Sequence, residues 1–213
     1  MGKSGSAKKI FKNFQKQIQL EMKFTKKEPE KYILALEKLY LTRQADPKNQ
    51  YNIGLNMLKY AKQYYNEIPE ELYVSICYVF TLIEKKYTSL DSAIDFLRKE
   101  KCLLPHSIEL DIHYQSHEAA KYLNYNPAKA ISFYENIVNY SGTSKKYSKS
   151  IGHAYVDILN CYILLENWKD FQKQYQNVLE YLQTNVLYSE EGRLYNLDGL
   201  YYWLNANLLT AKE

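Results

Sequence analysis

The sequence predicts an all-α protein whose helices follow one another in pairs. Two observations support this prediction: glycine is scarce, with 7 in 213 residues, and prolines stand where helices should begin. Proline suits the first helical position, because its missing N–H would have no intrahelical partner there and its φ is already helical. The five prolines, each followed by a long run with helical periodicity, are Pro29, Pro47, Pro69, Pro105 and Pro127.

The first half of the chain contains five predicted helices. Apolar residues at three- and four-residue steps predict a helix over residues 5–24. Helices that open at Pro29, Pro47 and Pro69 follow it. Ser89 is a suitable N-cap for a short fifth helix, because its hydroxyl can accept a bond from a backbone N–H of the first turn.

The second half of the chain contains five further predicted helices. Their apolar periodicity continues without a long linker rich in Ser, Gly or Pro. The predicted helices are one that opens at Pro105, one from Pro127 to a stop at Gly142, one over about 145–165, one over 168–184, and one from Ser189 to near Ala211.

These helices group into about four pairs, at 29–68, 69–104, 105–143 and 144–186. One helix pair cannot bury both of its faces alone, so neighbouring pairs are expected to stack and the terminal helices to cap them. We therefore expect one continuous α-solenoid. Its parts would be a basic N-terminal segment over 1–28, helical repeats over 29–186 and a C-terminal capping helix over 187–213.

The fourth pair has the clearest repeat pattern. Its residues resemble the signature positions of tetratricopeptide (TPR) repeats, which form the contact between the two helices of a repeat. Three positions depart from the family, which places small residues where Leu159, Glu166 and Phe171 stand. The chain thus resembles a degenerate TPR-like α-solenoid over roughly 29–186. The matching residues are Tyr155, Ile158, Leu159, Tyr162, Trp168, Phe171, Tyr175, Val178 and Leu179.

The resemblance implies a non-enzymatic adaptor or scaffold that binds a peptide or a partner helix on its concave face. Aromatic anchors for such a partner are expected among Tyr51, Tyr73, Tyr114 and Tyr155. The alternative is a structural subunit of a larger assembly, in which the lysine-rich N-terminus contacts RNA or an acidic neighbour. A subunit of that kind should expose a large apolar patch.

The N-terminus matches M-G-x-x-x-[ST], the pattern for myristoylation of Gly2. One myristoyl chain gives only marginal membrane affinity, and lysines beside an anionic leaflet can supply the second signal. Three alternatives remain, namely an unmodified disordered start, a matrix-targeting peptide, and a helix that docks on the first repeat. The lysines expected to contact a membrane or an acidic partner are Lys3, Lys8, Lys9, Lys12 and Lys16.

Signals for catalysis and for metal binding are weak. The chain has no P-loop, no GxGxxG, no GxSxG and no EF-hand motif. His113 and His117 stand four residues apart, but the HExxH pattern that would supply a general base is missing. We therefore expect no enzyme, no cofactor, no metal and no small-molecule substrate. Nucleic acid is expected as a partner only if the basic N-terminus binds it.

The cysteines and the hydropathy indicate the compartment. Cys77, Cys102 and Cys161 lie far apart in or beside apolar runs, which predicts core thiols in a reducing environment. No run approaches the roughly 20 apolar residues that a bilayer span needs. We expect a cytoplasmic protein, with attachment to a membrane surface through the N-terminus as the further expectation.

Overall fold

A computed structural model describes the backbone of residues 28–42 and 47–210, and the side chains of 28–38 and 49–206. Over these residues the protein is helical, without a strand, so the all-α prediction is confirmed for this part of the chain. Two short 3₁₀ turns, Tyr65–Glu67 and Lys145–Tyr147, accompany the helices. The helices are α1 Pro29–Thr42, α2 Pro47–Gln63, α3 Glu70–Tyr87, α4 Leu90–Leu103, α5 Ile108–Tyr122, α6 Pro127–Val138, α7 Ser148–Leu164, α8 Trp168–Thr184 and α9 Tyr188–Thr210.

The chain divides into two compact units with a boundary between Glu100 and Lys101. This boundary falls within α4, whose last three residues belong to the second unit. We call the part before the boundary unit 1 and the part after it unit 2. The division of the chain at residues 28 and 186 into an N-terminal segment, repeats and a cap stays a prediction.

Unit 1 packs α1 against α2, and α2 against α3. Most side chains that fill its core are apolar and almost fully buried, as the 3.6-residue periodicity requires of helices packed on one another. α4 adds an aromatic contact, because the rings of Phe80 and Phe96 meet edge to face with centroids 4.9 Å apart. The buried core residues of unit 1 include Ile33, Met57, Tyr73, Ile83 and Leu97.

Unit 2 is built around α7, which contacts α6, α8 and α9. Gly152 in α7 permits a close approach there: a Cβ at this position would lie 2.6 Å from Cδ1 of Leu187. Two clusters of buried side chains lie on different sides of α7. One joins α5, α6 and α7 through Ala119, Tyr134 and Ala154. The other joins α7, α8 and α9 through residues that include Leu159, Phe171, Val178 and Leu194.

Most predicted helix starts are confirmed, and one is wrong. Asn126 caps α6, because its side chain accepts a bond from the N–H of Lys129 at 3.1 Å, and Ser89 caps α4 through the N–H of Ser92 at 3.0 Å. Pro105, however, lies in a turn, and α5 begins three residues later at Ile108. Ser107 is the N-cap of α5, and its hydroxyl accepts a bond from the N–H of Leu110 at 3.5 Å.

The prediction that Gly142 ends its helix is also wrong. α6 ends at Val138, and the following turn is held by a bond from the N–H of Ser141 to the carbonyl oxygen of Val138 at 2.8 Å. Gly142 lies in that turn with φ of 85°, a conformation that favours glycine. Gly142 therefore serves the turn after the helix rather than the helix end itself.

Two non-glycine residues adopt the left-handed conformation at helix ends in unit 2. Glu166 follows α7 with φ of 53°, and Val186 follows α8 with φ of 57°. The residue after each of them donates a hydrogen bond back to the helix. The N–H of Asn167 donates to the carbonyl oxygen of Tyr162 at 2.8 Å, and the N–H of Leu187 donates to that of Leu182 at 2.9 Å. This is the pattern of a helix-ending motif that usually carries glycine at the left-handed position.

The cysteine prediction holds for two of three residues. Cys77 and Cys161 are buried, and burial raises the pKa of each thiol to about 12. Cys102 is exposed, which corrects the prediction that all three are core thiols. Cys102 stands beside an apolar run of α4, but it belongs to the face that the core does not cover.

Candidate interaction surface

An open groove in unit 2 lies between α6, α7 and α8 and has a volume of about 400 Å³. We call it the Tyr155 groove. Most of its apolar lining comes from α7, where residues spaced three, four and seven apart share one face of the helix. The lining residues are Glu135, Val138, Asn139, Tyr155, Ile158, Leu159, Tyr162, Gln174 and Val178.

The floor of the Tyr155 groove is apolar and its walls are aromatic. Ile158, Leu159 and Val178 are buried and form the floor. Tyr155 and Tyr162 stand one heptad apart on α7 and are half-buried, so both present ring surface to the groove. The ring of Tyr155 is held by the ring of Tyr181, with centroids 5.0 Å apart. The groove therefore offers preformed apolar surface.

The two wall tyrosines stay protonated at neutral pH. Burial raises the pKa of Tyr155. Burial also raises the pKa of Tyr162, and the nearby charges of Asp170 and Glu135 raise it further. Each hydroxyl can thus act as donor or acceptor toward a bound group.

The rim of the Tyr155 groove is polar and carries negative charge. Glu135 and Asn139 are exposed residues at the end of α6, and Gln174 of α8 is half-buried. The amide side chains of Asn139 and Gln174 can each donate and accept hydrogen bonds. A carboxylate and two amides around an apolar floor form an arrangement that suits a peptide with a basic residue beside an apolar one.

A second groove of unit 2 is more polar. It has a volume of about 470 Å³ and includes Lys101, His106, Asn136 and Asn139 in its lining. We call it the Asp111 groove. Because Asn139 also lines the Tyr155 groove, the two grooves adjoin at the end of α6.

The polar side chains of the Asp111 groove are paired with one another. The hydroxyl of Tyr140 donates to Oδ2 of Asp111 at 2.8 Å, and Lys101 forms an ion pair with the same carboxylate. The side-chain amide of Asn136 donates to Oε1 of Gln115 at 3.2 Å. Burial and the bond to Asp111 raise the pKa of Tyr140 to about 12. These pairings hold α5 and α6 together.

The structure shows the surroundings of His113 and His117 on α5. Nδ1 of His117 lies 2.8 Å from the carbonyl oxygen of His113, so this ring is bonded to its own helix. Burial lowers the pKa of His113 to about 4, and that ring is neutral at pH 7. Among the described residues, no group of three or more His, Cys, Asp and Glu side chains is placed to hold a metal ion.

Sequence reasoning missed a charged cluster that joins α7 to α9. Nη2 of Arg193 lies 2.5 Å from Oδ1 of Asp157, and its Nη1 lies 2.7 Å from Oε2 of Glu190. Nε2 of His153 lies 3.0 Å from the other oxygen of Glu190. Glu190 lies in the first turn of α9. No local signal could reveal the cluster, because Arg193 and Asp157 are 36 residues apart in sequence.

The four tyrosines expected as anchors have different surroundings. Tyr155 lines the groove described above. Tyr73 is 1% exposed, so it cannot anchor a partner at the surface, and that expectation is wrong. The hydroxyls of Tyr51 and Tyr114 donate to Glu84 and Glu118 of their own units, at 3.2 and 2.8 Å.

The N-terminal predictions lie outside the described residues. They comprise the helix over 5–24, lipidation of Gly2, and the membrane or acidic-partner contacts of Lys3, Lys8, Lys9, Lys12 and Lys16. These stay predictions.

Comparisons with protein-family models, with curated proteins and with solved structures found no match to this chain. A search of the described helices for one long and apolar enough to cross a membrane found none.

Proposed function

We propose that this chain is a non-enzymatic protein-interaction adaptor with a TPR-like arrangement of helix pairs, which binds a peptide or a partner helix in the Tyr155 groove. The observation that supports the proposal is an open groove with a buried apolar floor, two aromatic walls and a polar rim. The resemblance of α7 and α8 to TPR signature positions is a second support, since Tyr155, Tyr162 and Val178 belong to both the signature and the groove.

The chemistry of the groove narrows the partner. A volume of about 400 Å³ is near the lower end of ligand-binding pockets, which suits one or two apolar side chains of a peptide. Glu135 on the rim favours a neighbouring Lys or Arg, and the amides of Asn139 and Gln174 can bond the peptide backbone. The proposed ligand is therefore a short segment with an apolar anchor beside a basic residue.

Selection from a random peptide library against the full chain tests the proposal. The affinities of selected peptides are then measured by fluorescence anisotropy for three variants. Glu135→Lys should weaken binding about tenfold, because it places like charges together, and Gln174→Trp should weaken it further by filling the groove. Glu180→Lys is the matched control, since this exposed residue of α8 does not line the groove. Peptides that bind all three variants as tightly as the parent would exclude the Tyr155 groove.

The proposed location is the cytoplasmic face of a membrane, reached through a lipid on Gly2 and the lysines that follow it. Mass spectrometry of protein from its native source should find myristate on Gly2 after removal of Met1. Gly2→Ala should then shift the chain to the soluble fraction, while affinity purification recovers the same partners. An unmodified Gly2, or unchanged fractionation of the variant, would end the tether proposal and leave the groove proposal intact.

A further inference from the structure

Helix α9 is apolar on two opposite faces, and unit 2 covers one of them. The covered face carries Leu194 and Tyr201, which are 0% and 7% exposed. On the opposite face Tyr188, Tyr195 and Tyr202 are 75%, 50% and 65% exposed, and they stand one heptad apart. A large apolar face of a helix is normally covered by a neighbouring surface. The second face of α9 is therefore an uncovered surface of the kind that marks an interface.

Small residues alternate with these tyrosines on the exposed face. Gly192, Gly199 and Ala206 are also spaced by seven, and they fall between the tyrosines at steps of four and three. This is the a/d pattern of helices that pair, with tyrosine at every d position and a small residue at every a position. We call these six residues, Tyr188 to Ala206, the Tyr/Gly seam.

Among the described residues, nothing uses the space that the two glycines of the seam leave. A Cβ at Gly192 or Gly199 would meet nothing within 4 Å, whereas at Gly54 it would lie 2.3 Å from Cδ1 of Ile83. Glycine in a helix interior is less stable than alanine. The described part of the fold therefore loses stability at Gly192 and Gly199 without using the space, which indicates that a surface beyond the described residues uses it.

We propose that the Tyr/Gly seam pairs with the seam of a second copy of this chain, and that the two α9 helices run antiparallel. In an antiparallel pair, each a position packs beside a d position of the other helix. Positions at equal distance on either side of Leu197 always combine one tyrosine with one small residue. The combinations are Tyr195 with Gly199, Tyr202 with Gly192, and Tyr188 with Ala206.

This symmetry selects a second copy over an unrelated partner. A two-fold interface uses the same surface on both subunits, so the surface must be complementary to itself. Because the alternation of tyrosine and small residues repeats every seven positions, the seam meets this requirement along its whole length. A parallel pair fails for the same reason, since it would place tyrosine against tyrosine and glycine against glycine, leaving clashes and voids.

The exposed area is in the range of a weak, concentration-dependent dimer. Trp203 stands beside the seam and is 62% exposed. With the three tyrosines it leaves about 500 Å² of aromatic surface uncovered, since a buried aromatic side chain removes 150–250 Å² from water. The backbone at the two glycines adds to this area and brings it towards the roughly 800 Å² per partner of a standard interface. No charged residue occupies the six seam positions, so pairing buries no unpaired charge.

A dimer would give the adaptor two copies of the Tyr155 groove. Two grooves on one particle raise the avidity for a partner with two binding segments, without any new contact in either groove. The dimer itself does not depend on the groove, so the two proposals fail independently.

Sedimentation equilibrium of the full chain over about two orders of magnitude in concentration tests the dimer. The parent chain should pass from monomer to dimer, and Gly192→Glu with Gly199→Glu should stay monomeric. Both positions are open, so the helical circular dichroism of this variant should stay unchanged. Gln176→Glu with Asn177→Glu, which adds the same charge at exposed positions of α8, should dimerise like the parent. A monomeric parent, or equal effects of both double variants, would overturn the proposal.

Cross-linking tests the antiparallel register. In a background of Cys102→Ser, which removes an exposed thiol, Gly192→Cys and Tyr202→Cys are made separately. After oxidation, a mixture of the two variants should form a disulfide-linked dimer, and neither variant should do so alone. Linkage of each variant to itself would show a parallel pair and overturn the proposal. In the variant Trp168→Phe, fluorescence comes from Trp203 alone. If iodide fails to quench this fluorescence in the monomer, another segment of the chain covers this face, and the dimer proposal is overturned.

Discussion

The carboxylate of Glu100 in unit 1 is enclosed by its partners, whereas the carboxylate of Asp111 in unit 2 lines an open groove. Glu100 is 1% exposed, and it accepts a bond from the hydroxyl of Tyr73 at 2.6 Å and pairs with Nζ of Lys62 at 2.5 Å. These contacts tie α2, α3 and α4 together from inside. Asp111 is bound by Lys101 and other polar side chains at the surface.

The difference indicates separate roles for the two units. A buried carboxylate costs several kcal/mol of desolvation, so it constrains a core to the one arrangement that satisfies it. Glu84 of unit 1 repeats the pattern, with bonds from Tyr51 at 3.2 Å and Ser92 at 3.0 Å. Unit 2 also buries charged side chains, Glu118 and Glu190 among them, but it has open grooves as well, one of which Asp111 lines. We therefore expect partner binding to be a property of unit 2.

The largest expected effect is on unit 1. Lys62→Met removes the counter-charge of Glu100 and keeps the aliphatic stem, so it should destabilise unit 1 by about 2–3 kcal/mol, because an uncompensated charge stays buried. Urea unfolding followed by circular dichroism measures this change. Both tryptophans, Trp168 and Trp203, lie in unit 2 and report its unfolding separately by fluorescence. Lys59→Met, at an exposed position of the same helix, is the control.

Equal stability of Lys62→Met and the control would show that the ion pair of Glu100 contributes little. If the urea midpoint followed by tryptophan fluorescence shifts as much as the midpoint followed by circular dichroism, the two units unfold as one. A shift in circular dichroism alone would sharpen the contrast between them.

The next effect is a dependence of unit 2 on pH. All four histidines lie in unit 2, and His113 has its pKa lowered to about 4 by burial. Between pH 6.5 and about 4 the unfolded chain binds a proton at His113 and the native chain does not. Stability should therefore fall as the pH falls through this window, by about 2–3 kcal/mol. Tryptophan-monitored urea unfolding at several pH values measures the loss.

The variant His113→Gln should flatten this pH dependence, because the amide does not titrate. His106→Gln, at an exposed position in the turn before α5, should retain it. If the stability of His113→Gln depends on pH in the same way as that of the parent, His113 is not the group responsible for the pH dependence. Burial also lowers the pKa of His153, whose ring contacts Glu190, so a smaller slope of the same sign should remain.

The smallest effect concerns the left-handed helix ends of unit 2. Val186 is β-branched and adopts φ of 57°, so Val186→Gly should stabilise unit 2 by about 1 kcal/mol by removing the strain at Cβ. Thermal unfolding followed by tryptophan fluorescence measures the gain. Val186→Ala, which keeps a Cβ, serves as the comparison and should gain less. A destabilised glycine variant would mean that the valine side chain contributes packing there.

Local signals in the sequence predicted most helices because helix formation is itself local. Asn126 and Ser89 cap helices with their own side chains, and proline starts a helix through its own ring. The helix start predicted at Pro105 and the helix end predicted at Gly142 are wrong for the same reason, because proline and glycine suit a turn as well as a helix end. In the structure, Pro105 lies in the turn before the Ser107 N-cap, and Gly142 lies in the turn after Val138.

The candidate site was predictable only in part. Tyr155 and Tyr162 stood out by their spacing, which resembles a repeat signature. Their position at an open groove depends on α6, whose residues precede them by 16 or more positions. The pairing of Arg193 with Asp157 spans 36 residues and leaves no periodic trace in the sequence.

The sequence by itself determined the all-α class of the described residues and the order of their helices, because backbone bonding, capping and periodicity act within a few turns. Only the tertiary structure decided which apolar residues close a core and which stay open at the surface. Leu194 and Tyr195 are neighbours on the same helix, yet one is 0% exposed and the other 50%. The reason is physical, because burial depends on helices that are distant in sequence and brought close by packing.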